Sequence, residues 1–247
     1  MALKTTLNYS PNFNSKKRIS KQVKFLIFHY TGMKNESEAI NRLINIQSEV
    51  SCHYLIKNNG EVVKLVPDLY IAWHAGKSSW RSFKSLNQNS IGVEITNPGH
   101  EFGYKKFSKE QIFSLLKLSK FLIKKYKINA RCILGHSDIA PERKKDPGEN
   151  FPWEYLSKSK IGLWHKLKKQ ELIKNRKFKV SEKKKVLFFN NLFKIGYSKN
   201  IPININKDNY LREVVKTFQR RFRQELIDGK IDRECLLISK NLLKKYS

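Results

Sequence analysis

The sequence predicts an α/β fold: a central mixed β-sheet flanked by helices, with a small three-helix domain at the C-terminus. Three observations lead there. Apolar runs of strand length alternate with helix-period segments through the first two thirds of the chain, which packs helices against a sheet. An Asn-Gly pair separates two apolar runs in the manner of a β-hairpin. Beyond residue 175 only helical periodicity is left.

The elements follow in order. Residues 1–22 are polar and read as an extended N-terminal lead-in. KFLIFHYT (24–31) is a buried strand that turns polar at its end. NESEAINRLINIQS places Ile40, Leu43, Ile44 and Gln47 on one helical stripe, with Asn35 and Glu38 as a capping box. HYLIK and EVVKLV flank Asn59-Gly60 as a hairpin, and SIGVEITN (90–97) is a further strand. Ser108 and Gln111 cap a long helix that turns Ile112, Leu115, Leu116, Leu122, Ile123 and Tyr126 inward. ARCILG (130–135) is a short strand. The domain built on these elements spans 23–175.

KNRKFKVSEKKK is charged and aperiodic, and marks a linker into a helical domain over 176–247. There, EKKKVLFFNNLFKIG stops at Gly196. DNYLREVVKTFQRRF aligns Leu211, Val214, Val215, Phe218 and Phe222, and Asp232 caps the last helix. Phe218 and Phe222 therefore serve the core, so the aromatic-basic run TFQRRFRQEL is not a nucleic-acid motif, and no specific nucleic acid is expected as partner.

Composition sets outer limits. Fifty Lys+Arg against 21 Asp+Glu give a net charge of +29. Cations spread over every segment suit a solvated surface; they also suit an anionic partner, and charge alone does not choose. Cys52, Cys132 and Cys235 lack any CxxC spacing and read as small buried hydrophobes. No apolar run is long enough for a membrane span. MALKTTLNYSPNFNSKKRIS lacks the apolar core of a signal peptide. The expected location is the cell envelope or periplasm if an export signal has been removed, and the cytoplasm if this is the native N-terminus.

The segment GHSDIAPERKKDPGENFPW (135–153) carries little that could fill a core. His136 reads as part of a loop just past a strand end, where Pro141 and Pro147 forbid a continuous helix, and Asp146 follows ten residues later in the same loop. His29 ends the first strand. Two imidazoles and one carboxylate are the ligand set of a catalytic zinc with an open fourth position. Taken singly, each residue has a plainer reading: His29 as a satisfied core histidine, Asp146 as the start of an Asp-Pro-Gly turn. Glu94 interrupts an apolar strand, which is costly without a purpose. Arg143, Lys144 and Lys145 are equivalent on physical grounds.

HYT (29–31), SCHYLI (51–56), AWHAG (72–76), SIGVEITN (90–97) and GHSDIAPERKKDPG (135–148) occur in this order. Together they closely resemble the zinc-dependent N-acetylmuramoyl-L-alanine amidases of the type 2 family, over roughly residues 20–160. The C-terminal helices resemble the longer branch, which adds a peptidoglycan-binding-type domain. The resemblance implies one Zn2+ per chain on His29, His136 and Asp146, with Glu94 as catalytic carboxylate and Lys144 as site cation. It puts His53, Trp73, His74, Asn87 and Asn97 near a substrate groove, with Trp80 and Arg81 as weaker members. It implies hydrolysis of the amide between N-acetylmuramic acid and L-alanine in peptidoglycan or muropeptides, by a monomer. The alternative is a non-catalytic peptidoglycan-binding protein on the same fold. Such a protein is expected to lack part of the metal set or the glutamate, and this sequence has all of them.

Overall fold

The computed structural model describes residues 5–246. In chain order the elements are β1 (Thr5–Leu7), β2 (Phe13–Asn14), β3 (Phe25–Tyr30), α1 (Glu36–Ile44), β4 (Tyr54–Ile56), β5 (Val62–Lys64), β6 (Ile71–Ala72), β7 (Ser79–Trp80), β8 (Phe83–Lys84) and β9 (Ser90–Ile95). Then come α2 (Lys109–Tyr126), β10 (Ile133–Gly135), α3 (His136–Ile139), α4 (Trp153–Ser157), α5 (Lys169–Asn175), α6 (Glu182–Ile195), α7 (Lys207–Phe222) and α8 (Arg233–Tyr246).

Six strands form one sheet in the order β1-β5-β4-β9-β3-β10. The β4–β5 hairpin is antiparallel and the other pairings are parallel, so the sheet is mixed. Its centre is the β3–β9 pair, in which Phe25 to Tyr30 lie opposite Ser90 to Ile95 residue for residue. Period-two alternation splits these strands between two cores. Leu26, Phe28, Ile91 and Val93 pack under Leu115, Leu118 and Leu122 of α2. Phe25, Ile27 and Leu134 pack on the opposite face against Phe188, Leu192, Val214, Phe218 and Ile238 of the last three helices. The C-terminal helices therefore share one continuous apolar core with the sheet.

Both long-helix caps form as local chemistry dictates. The Asn35 side chain accepts from Glu38 N–H, and Ser108 with Gln111 makes a reciprocal capping box on α2. Asp232 accepts from Cys235 N–H at 2.9 Å and opens α8. Several elements differ from expectation. Gln47 lies beyond α1, exposed in a 3-10 turn. Ala130–Cys132 is also a 3-10 turn, so β10 starts at Ile133. His136–Ile139 is helical, since both prolines of that loop fall after it. The expected lead-in contributes β1 along β5, β2 along β6, and the buried Arg18; its residues 1–4 lie outside the described residues. The charged run expected as a linker is tied down: Arg176 donates to Glu234 at 2.6 and 3.0 Å, and Lys179 bridges to Asp232.

Asp68 ties α2 to the hairpin. Its carboxylate accepts from Tyr54 Oη at 2.5 Å, Tyr126 Oη at 2.8 Å and Lys125 Nζ at 2.7 Å, with Lys64 Nζ at 3.2 Å. Burial raises its pKa, but the bonds from Lys125 and the two tyrosines outweigh burial and hold it well below the usual range. Asp68→Ala leaves two hydroxyls and two lysines without their acceptor. We expect a loss of about 3 kcal/mol in a denaturant titration; a loss under about 0.5 kcal/mol contradicts this role.

Candidate active site

The site sits where β3, β9 and β10 end. Parallel register puts His29 beside Glu94 on neighbouring strands, both on the sheet face away from α2. β10 runs straight into α3, so His136 follows directly from the strand end. Asp146 returns to the same place because its backbone carbonyl accepts from Ser137 N–H at 2.9 Å. These three side chains are buried. His29 Nδ1 lies 3.0 Å from His136 Nδ1 and 3.0 Å from Asp146 Oδ2, and His136 Nδ1 is 3.1 Å from that oxygen.

The surrounding bonds decide where the ring protons are. A carbonyl only accepts. His136 Nε2 is 3.1 Å from Ala75 O, so the proton is on Nε2 and Nδ1 is a bare lone pair. Ser90 Oγ donates to Leu86 O at 2.6 Å, and so accepts from His74 Nε2 at 3.0 Å. His74 Nδ1 is then an acceptor, and His29 Nε2–H donates to it at 3.0 Å. That leaves His29 Nδ1 bare as well. Two lone pairs and a carboxylate oxygen thus converge with no proton between them. Donors about 2.1 Å from a tetrahedral ion stand about 3.4 Å apart, and this triangle is close to that size. The residues fit a divalent metal ion.

Electrostatics favour a neutral ring at His29 and at His74. Burial, then the repulsion a protonated His136 would exert, lowers the His29 pKa to about 4. Burial, then His29, His53 and His136, holds His74 well below its ordinary value. Burial would raise Asp146, but the proton that His136, and then His29, would carry beside it when charged holds it well below the carboxylate range. Glu94 goes the other way: burial, then the charge of Asp146, pushes it well above its ordinary value, and Lys144 partly offsets this. Its Oε2 is buried without a hydrogen-bond partner.

A cleft of about 590 Å³ opens over the triad, with Trp73, Glu94, Phe102, Lys144 and Asp146 on its walls. Of the three equivalent cations, Arg143 also lines the cleft, but carbonyls hold its guanidinium: it donates to Ala75 O at 2.5 Å and to Lys77 O. Lys144 and Lys145 both face the cleft, and it is Lys144 whose charge is felt by both His29 and Glu94.

The structure brings His29, Glu94, His136, Lys144, Asp146, Trp73 and His74 to one cleft, and leaves three expected groove residues out of it. His53 is fully buried: Nδ1 accepts from Gly92 N–H, and Nε2 donates to Tyr70 O at 3.0 Å. Asn87 accepts the N–H groups of His74 and Ala75 and so shapes the loop from behind. Asn97 bonds Lys105 O and Gly99 N–H inside the fold. Trp80 and Arg81 also turn away, onto Gly196 and Ile195 of the C-terminal helices. His74 reaches the cleft wall, but both its ring nitrogens are engaged. Sequence reasoning missed Ser90 and the reason for Gly92. A Cβ at Gly92 would meet His74 Cγ at 2.4 Å, so the ring lies where a side chain would be. The period-two pattern of SIGVE was the available signal, since it lines up Ser90, Gly92 and Glu94 on the His29 face.

Comparison with known proteins matches residues 19–149 to the family model for N-acetylmuramoyl-L-alanine amidase. The chain is 32% identical over 237 residues to the N-acetylmuramoyl-L-alanine amidase AmiD of Escherichia coli, covering 91% of this chain and 84% of that one. The chain belongs to the N-acetylmuramoyl-L-alanine amidase family. The family's reaction is hydrolysis of the amide joining N-acetylmuramic acid to L-alanine. Among solved structures, this amidase superposes on E. coli AmiD in complex with anhydro-N-acetylmuramic acid-L-Ala-D-gamma-Glu-L-Lys with a TM-score of 0.77, at 33% identity, over 91% of this chain and 90% of the other. AmpDH3 from Pseudomonas aeruginosa gives 0.78 at 28% identity, over 96% and 97%. The match to the 1,6-anhydro-N-acetylmuramyl-L-alanine amidase AmpD of Haemophilus influenzae is 40% identical but covers 46% of this chain and 61% of that protein. The amidase fold with its C-terminal helices is therefore the AmiD-like form.

An ion bound only by the folded state stabilises it by about 2.7 kcal/mol at a hundredfold excess over its dissociation constant. Zinc added to metal-free protein is expected to raise the unfolding temperature, and Asp146→Ala to abolish the rise. An equal rise in that variant would show that zinc binds elsewhere.

Proposed function

We propose that the chain is a zinc-dependent amidase that releases stem peptides from N-acetylmuramic acid, acting in cell-wall turnover or recycling. The observation that carries this reading is the convergence of two unprotonated imidazole nitrogens and a carboxylate beside a buried, unpartnered glutamate oxygen. His29, His136 and Asp146 would hold the zinc, which supplies Lewis acidity toward a water and the scissile carbonyl.

Glu94 takes the proton of the attacking water and gives it to the leaving nitrogen of L-alanine. Lys144 faces the developing oxyanion from the cleft wall. Trp73 offers an aromatic wall to the sugar or the peptide. We take anhydro-muropeptides as substrates because the AmiD and AmpDH3 complexes hold ligands of that kind. Intact wall is the further candidate, and such work belongs at the cell envelope. Among the described residues no helix is long and apolar enough to cross a membrane.

The test is incubation with muropeptides and with intact sacculi, with and without a zinc chelator, followed by mass spectrometry of the products. Free stem peptide starting at L-alanine, absent under chelation, is the expected result. Glu94→Ala should keep zinc and lose cleavage by about 100-fold or more, whereas His136→Ala should lose both. A Glu94→Ala rate within threefold of the parent would remove Glu94 from the mechanism. Muropeptide binding without cleavage by zinc-loaded protein would favour a non-catalytic binder.

A further inference from the structure

The metal triad rests on a short helix, and that helix is gripped from the other side of the core. α3 begins with His136, and its Ser137 N–H holds the Asp146 carbonyl. Two of the three ligands therefore ride on α3. Two residues past His136, Asp138 points into the interior and is 2% exposed. Its Oδ2 accepts from Gly135 N–H at 2.8 Å and pairs with Arg221 Nη1 of α7. Its Oδ1 accepts from Tyr197 Oη at 2.9 Å, just past the end of α6. Arg221 also donates to Ile133 O at 3.2 Å, at the start of β10, and stacks over Trp153 at 4.0 Å.

Tyr197 and Arg221 are themselves fixed. Tyr197 is 2% exposed and meets Trp80 edge-on at 4.9 Å; Arg221 is 4% exposed. Gly196 has no side chain, and a Cβ there would meet Trp80 at 2.2 Å, so the chain reaches Tyr197 only with glycine before it. A buried ion pair costs desolvation that apolar packing would avoid. Here it fixes the position of one carboxylate in space, and with it the strand-to-helix junction that presents His136.

We propose that Tyr197 and Arg221 are positioning residues for the metal centre, and that the C-terminal helices act through Asp138 to set the geometry of His136 and Asp146. The proposal rests on the reading of the triad as a zinc site. It gives the C-terminal helices a part in the active site itself, apart from any role in holding the cell-wall polymer. Partners behind the ligands of metal sites typically change affinity by about 10- to 100-fold when removed.

The experiment measures the zinc dissociation constant of folded protein by competition with a chromophoric chelator, together with the visible spectrum of the cobalt-substituted form. Arg221→Met should weaken zinc binding about tenfold or more, and Tyr197→Phe should weaken it measurably while still folding. Both should alter the cobalt bands. Arg221→Lys keeps the charge and should recover most of the affinity. Asn191→Ala is the control: it removes a buried bond to Ser239 between α6 and α8, away from α3. It should lower the unfolding temperature and leave zinc affinity within twofold. If Tyr197→Phe and Arg221→Met lower stability yet bind zinc as tightly as the parent, with unchanged cobalt bands, the proposal is overturned. If the parent itself binds no zinc, the reading of the triad is what has failed.

Discussion

Three electron-rich atoms held about 3 Å apart, with no hydrogen between them, repel one another. His29 Nδ1, His136 Nδ1 and Asp146 Oδ2 are so held in a buried site, where low polarizability strengthens that repulsion. The arrangement is favourable only around a cation. The bonds that prevent relief are all on the far sides of the rings. Ala75 O takes the His136 proton, and the series Leu86 O, Ser90, His74 takes the His29 proton. A ring flip at either ligand would break a buried hydrogen bond, which typically costs about 1–3 kcal/mol. The fold thus holds the unprotonated lone pairs in place before any ion arrives.

The rest of the architecture follows from where these atoms must be. Parallel pairing of β3 with β9 puts His29 and Glu94 side by side, in the proposed roles of ligand and base. Their neighbours toward the sheet interior are Gly92, which leaves room for His74, and Ser90, which anchors it. The hairpin, α2 and the Asp68 node stiffen one face of the sheet, and the C-terminal helices cover the other. Cations abound on the surface, yet in the cleft their roles diverge. Arg143 is engaged by two carbonyls, while Lys144 stays within electrostatic reach of the reacting groups.

Much of this was legible in the residues. The Asn59-Gly60 hairpin, the caps at Asn35 and Ser108, and the stop at Gly196 are local signals, and local physics decides them. The three residues of the triad were singled out by the motifs around them, HYT and GHSDIAPERKKDPG, since taken singly each had a plainer reading. The misreadings share a cause. His53 and Asn97 lie within matching motifs and Asn87 between two of them, and nothing in spacing reveals that backbone groups already satisfy them. The bonds from Tyr197 and Arg221 to Asp138 span 59 and 83 residues of sequence, so no periodicity announces them. His136 was read as loop because prolines follow it, but a single helical turn fits before the first of them.

The proposed chemistry requires one ion held by three particular atoms. Crystals grown with zinc, with diffraction recorded on both sides of the zinc absorption edge, test it most directly. The account predicts one strong anomalous peak per chain, about 2.0–2.2 Å from His29 Nδ1, His136 Nδ1 and Asp146 Oδ2, on the side facing Glu94. A peak bound through other atoms, or no peak among these three residues, would contradict it.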